Sequence, residues 1–112
     1  MKLELLVPQP RASESFRRSR ERFIPEKPGC YALTTFERHI LYIGLTVNLR
    51  RRVNEHLDSV AKTELTPAGR AVLVHWIETA EVNKVERTWM NIHLIEEGRL
   101  PGLNRVYSPT SA

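Results

Sequence analysis

The chain has 112 residues, 41% of them hydrophobic and 27% charged, which is the make-up of one small globular domain and not of a disordered tail. No apolar run approaches the ~20 residues of a membrane span, and the single cysteine, Cys30, excludes an internal disulfide and any cysteine-based zinc site. Seventeen basic against thirteen acidic residues give a net charge of +4, which favours an anionic partner such as nucleic acid, and the N-terminal MKLELLVPQP, interrupted by Glu4 and two prolines, does not read as a signal peptide, so the expected compartment is the cytoplasm.

Residues 1–10 predict an extended arm ended by Pro8 and Pro10. Residues 12–23 predict a short helix capped by Ser13 or Ser15 and anchored by Phe16 and Phe23, with Pro25 and Pro28 closing the segment. Residues 30–34 (CYALT) and 40–43 (ILYI) are β-prone runs. The polar TFERH between them is long enough for a hairpin loop, and Gly29 and Gly44 mark the outer ends. Leu49, Val53 and Leu57 recur at i, i+4, i+8 and make one helical stripe, with Thr46 or Asn48 as the N-cap.

Residues 59–69 read as a polar loop containing Pro67 and Gly69, and residues 71–77 (AVLVHWI) as a third strand, apolar enough to be central. A second helix is expected from about 81 to 97, burying Val82, Val85, Trp89 and Ile92, with Gly98 as C-cap and Pro101 beyond it. The expected fold is α+β, a small three-stranded, mainly antiparallel sheet flanked by helices. An N-terminal arm and helix (1–27) would precede a core domain (28–105) and a tail (106–112).

Several polar residues sit where packing does not require them. Tyr31 and Tyr42 fall on the two hairpin strands and can be cross-strand neighbours, although taken singly they read as amphipathic core tyrosines. Arg52 and His56 are four apart and share a helix face bordering the apolar stripe. An arginine there can grip a phosphate with two donors, and a histidine can bond a phosphate oxygen or move a proton. Arg50 and Arg51 point elsewhere and read as a solvated basic face or as phosphate steering. Glu86 lies beside the buried stripe of the second helix, a place where a carboxylate is either paired with a base or binds a cation.

Read together, GCY at 29–31, YIG at 42–44, LTVNLRRRVNEHL and VERTWMNIHLIEEGRLPGLN resemble the GIY-YIG nuclease family over roughly residues 28–105. Tyr31 and Tyr42 fall on the tyrosines of the two motifs and Arg52 on the helix arginine. His56 falls on a position the family fills with His or Tyr, Glu86 on the metal-holding acid, and Asn104 on the asparagine near the end of the core. Two positions depart from the pattern. Cys30 replaces the usual branched apolar residue of the first motif, and Leu45 stands where many members carry a polar or basic residue.

The resemblance implies a metal-dependent endonuclease acting on DNA, duplex or structured. One Mg²⁺ or Mn²⁺ would be held by Glu86 and waters, since Mg²⁺ commonly takes one carboxylate and keeps several waters. Arg52 would stabilise the transition-state charge. Tyr31 or Tyr42 would position or deprotonate the attacking water, with His56 able to relay the proton. Gly44, Asn48, Arg50, Arg51 and Asn104 would lie on the substrate side. Little chain remains for a site-choosing domain, so specificity is expected from a homodimer mate or partner, or cutting has little sequence preference. The alternative is a DNA-binding or protein-interaction module on the same fold, in which the basic segment of Arg17, Arg18, Arg20 and Arg22 serves for docking.

Overall fold

The computed structural model describes residues 1–104, so the tail expected at 106–112 lies outside the described residues. The expected hairpin is the centre of the fold. Strands β2 (Gly29–Thr34) and β3 (Ile40–Thr46) pair antiparallel, with Tyr31 opposite Gly44 and Leu33 opposite Tyr42. The register slips between Leu33 and Thr34, which faces Ile40, leaving Leu41 as the extra residue of a bulge. Strand β4 (Leu73–Glu78) pairs with the other side of β2. Helices α1 (Leu49–Leu57) and α3 (Val82–Glu97) cover opposite faces of the sheet. All six residues of β2 are therefore buried. Tyr31 and Leu33 pack on Leu49 and Val53 of α1, whereas Cys30 and Ala32 pack toward Trp89 and Met90 of α3.

The helix ends follow local chemistry. Asn48 caps α1 by accepting the Arg51 N–H at 3.1 Å, and the Thr46 hydroxyl in turn accepts the Asn48 N–H at 3.0 Å. Gly98 ends α3 at φ 73°, and its N–H donates to Leu94 at 2.8 Å. That is the left-handed stop glycine allows. Among the described residues no helix is long and apolar enough to cross a membrane.

Two elements differ from the sequence reading. The α+β class holds, but the sheet has four strands, in the order β1 (Ala12–Ser15), β4, β2, β3. The added strand, β1, lies within the segment read as a helix, and a 3-10 turn (Arg18–Phe23) follows it. The outer edge of β4 would otherwise expose unpaired N–H and C=O groups, and covering it outweighs a weak local helix propensity. Second, residues 59–69 are not all loop, because Val60–Thr63 forms a one-turn helix, α2.

Residues 1–8 and 103–104 close the remaining gaps. Met1, Leu3 and Leu6 enter the core under α3. Ile40 donates to the Met1 carbonyl at 2.8 Å, Leu3 donates to Arg38 at 3.0 Å, and the Trp89 indole donates to the Pro8 carbonyl at 2.8 Å. On the outer edge of β3, the Leu103 N–H donates to Leu41 at 2.7 Å. The Asn104 amide there both accepts from Ile43 N–H and donates to Ile43 C=O, each at 2.9 Å.

Candidate active site

Five of the residues singled out in the sequence, Tyr31, Tyr42, Gly44, Arg52 and His56, meet on the α1 face of the sheet. Tyr31 and Tyr42 are diagonal neighbours on that face, with ring centroids 6.0 Å apart. They approach because Gly44 lies between them. A β-carbon at Gly44 would stand 2.5 Å from the Tyr31 hydroxyl oxygen, 2.6 Å from its Cζ and 2.8 Å from Cε2 of Tyr42. The glycine of YIG is thus a steric requirement for the tyrosine pair.

His56 projects from α1 into the same pair. Its ring centroid is 5.5 Å from that of Tyr31 and 5.0 Å from that of Tyr42, and its Nε2 is 2.5 Å from the Tyr31 hydroxyl. Tyr31 has no exposed surface and His56 only 4%, whereas Tyr42 is half-buried and meets solvent. Burial raises the Tyr31 phenol well above its ordinary pKa of 10, the Tyr42 phenol adds to that, and Arg52 works against it. Burial likewise pushes the His56 imidazole down to about 3, with the charges of Arg52 and Lys62 adding to the effect. Both groups are therefore neutral near pH 7.

Arg52, one turn before His56, lies beside the two phenols and donates to the Glu55 carboxylate at 2.8 Å. Burial alone would weaken its charge, but the Glu55 bond and the phenols hold its pKa above the ordinary arginine value. Lys62 of α2 completes this wall, its Nζ 4.8 Å from the Tyr42 ring centroid. The sequence reading passed over Lys62 because its segment reads as a loop and a cation over a ring leaves no sequence pattern.

Glu86 is placed differently. It is half-buried on α3, the helix that covers the opposite face, and its charge acts on Cys30. Burial raises its carboxyl above the usual range, and neighbouring Arg87 opposes this. Among the described residues no hydrogen bond or ion pair holds the Glu86 carboxylate. A half-buried carboxylate without a partner suits a divalent cation. No group of three His, Cys, Asp or Glu side chains gathers for a metal among the described residues. The donor set therefore fits a cation that keeps most of its waters. Cys30 does not compete for such an ion, since burial, aided by Glu86, pushes its thiol up to about 12.

The residues expected on the substrate side separate by use. Asn48 caps α1 and Asn104 clamps Ile43. Arg50 donates to the carbonyls of Ile24 at 2.8 Å and Arg22 at 3.2 Å, tying α1 to the arm. Arg51 is exposed at the start of α1. Of the docking arginines, Arg18 binds Asn54 and Asp58, Arg20 binds Glu14, and Arg22 donates to Ser19. These three hold the arm together and onto α1.

Residues 27–93 match the model of the GIY-YIG catalytic domain. The chain is also 33% identical over 49 residues to the UvrABC system protein C of Mesoplasma florum. That stretch is 44% of this chain and 8% of the relative's length.

Proposed function

The chain belongs to the GIY-YIG family, the matched domain covering more than half of it, and from that premise we propose that it is a metal-dependent endonuclease that hydrolyses DNA phosphodiester bonds. The observation that carries the proposal is the cluster of Tyr31, Tyr42 and His56 walled by the cations Arg52 and Lys62. Such a pocket is positive, partly dry and rich in proton-bearing groups, which is what a phosphate ester about to gain negative charge requires.

Each side chain has a role set by its surroundings. Arg52 has a forked set of donors and takes the phosphate oxygens, strengthening its hold as charge builds in the transition state. Tyr42 faces solvent, so its hydroxyl orients the attacking water. Tyr31 is sealed and keeps its proton, donating it to Nε2 of neutral His56, whose own proton then sits on Nδ1. A phosphate entering this pocket brings negative charge, which raises the proton affinity of His56. The Tyr31–His56 pair can then accept the proton leaving the water through Tyr42. Glu86, on the helix that covers the opposite face of the sheet, would with waters hold one Mg²⁺ or Mn²⁺, and such an ion when bound would supply charge stabilisation to the phosphate ester. Exposed Arg51 is left to steer the DNA backbone, since Arg50 is engaged with the arm.

Plasmid nicking with Mg²⁺ tests this reading. Arg52→Ala should lose on the order of 10²–10³ in rate, and Glu86→Ala should abolish metal-dependent cutting while both variants stay folded by circular dichroism. Cutting by both variants at the parent rate overturns the site assignment. Salt-sensitive DNA binding by a parent chain that never cuts would leave a binding module on the same fold.

A further inference from the structure

At position 45 many family members carry a polar or basic residue. Leu45, directly after YIG, supplies no cation, and its side chain packs with the cluster under α3, away from the tyrosines. The second cation on the tyrosine face comes from another element. Lys62 reaches from the one-turn helix α2 and places its ammonium 4.8 Å from the centre of the Tyr42 ring. Its charge is also felt at His56.

We propose that Lys62 is a substrate-binding residue of this site, its ammonium contacting the DNA phosphate that docks against Tyr42 while Arg52 grips from the Tyr31 side. Three observations converge on this. The ring of Tyr42 holds the ammonium over the one tyrosine of the pair that meets solvent, where a backbone phosphate can approach. The Arg52 charge is already shared with Glu55 at 2.8 Å, so a dianionic transition state needs a further cation. Lysine also suits the place, because its ammonium is a point charge on a flexible stem and can follow a phosphate whose position shifts during the reaction, whereas the planar fork of Arg52 fixes orientation.

The inference rests on the nuclease reading for its substrate, so the test reads binding and cutting separately. DNA binding is followed by fluorescence anisotropy on a labelled duplex across a salt series, for the parent, Lys62→Gln and Lys62→Arg, with thermal melts as the folding control. Loss of one phosphate contact should flatten the slope of log K against log salt by about 0.9 in Lys62→Gln. Lys62→Arg should restore the slope. In plasmid nicking, Lys62→Gln should raise KM and lower kcat/KM by about tenfold or more. A merely structural role, holding Tyr42, would alter the melt and leave the salt slope untouched, and an unchanged slope in a folded Lys62→Gln overturns the inference while leaving the nuclease reading in place. A flattened slope in Lys62→Gln, with a parent that binds but does not cut, upholds Lys62 as a phosphate contact and overturns the nuclease reading instead.

Discussion

Burial holds the imidazoles of His56, His75 and His93 below their ordinary value, and these groups shape how the protein should respond to acid. His75 sits on β4 with its Nε2 2.9 Å from the Thr34 hydroxyl. That hydroxyl donates its own proton to the Thr35 carbonyl at 2.9 Å, so the histidine nitrogen must be the donor. Burial lowers the His75 imidazole to about 4, with Arg38 adding to the effect, just as burial lowers His56 to about 3. The sign follows directly. The folded-state values lie below the unfolded value of 6.5, so the unfolded chain binds more protons as pH falls. The stability is fully present above pH 6.5 and is lost as pH drops toward 4. His56 and His75 should each remove roughly 2 kcal/mol between pH 7 and pH 5. Urea melts at the two pH values measure this, and His75→Gln should reduce the loss by roughly 2 kcal/mol, its own share. An equal loss in that variant would show that His75 ionises elsewhere than in the core. The sequence named His56 because it shares a helix face with Arg52. It gave no reason to single out His75, whose burial depends on a strand pairing 41 residues away in the chain.

At the scale of elements, the β2–β3 hairpin is both the spine of the sheet and the frame of the site. The alternating pattern puts Tyr31, Tyr42 and Gly44 on one face and Cys30 and Ile43 on the other. Gly44→Ala would press a methyl into the sealed Tyr31 ring, and it should cost about 2–3 kcal/mol and lower the melting temperature by roughly 10 °C. Because the displaced ring carries the hydroxyl bonded to His56, nicking should fall further than the melt alone explains, measured below the variant's own transition. Unchanged melting would mean that the tyrosine pair has room to shift. The hairpin, α1, β4 and α3 were legible because their apolar periodicity is set by their own residues. Strand β1 and helix α2 were not. The four residues ASES carry no strand pattern, and they pair only because β4 presents an open edge.

At the scale of the molecule, the first residues belong to the core. Met1, Leu3 and Leu6 are buried against α3, each at 6% exposure or less. Burying one such side chain contributes about 1.5–3 kcal/mol, so their sum approaches the whole net stability of a small domain, about 5–15 kcal/mol. A chain lacking residues 1–8 would also leave the Trp89 indole without its acceptor. It should melt at least ~15 °C lower or fail to fold cooperatively, as followed by circular dichroism. A melt equal to the parent's would show that the fold stands without residues 1–8. The basic arm reads in sequence as a docking surface, yet Arg18, Arg20 and Arg22 are occupied within the fold, because arginines near carboxylates and free carbonyls are drawn into local bonds.

What the sequence determined by itself was the class of fold, the hairpin with its two tyrosines, the helix face of Arg52 and His56, and the family, since spacing along one strand or one helix fixes which side chains share a face. What only the tertiary structure decided was which of these residues meet. It brought Lys62 over Tyr42, sealed Tyr31 against His56, and set Glu86 on the helix across the sheet. It also gave Asn104 to the backbone of Ile43 and Arg50 to the arm. Contacts between distant segments depend on which faces the packed elements cover, and no local pattern encodes that.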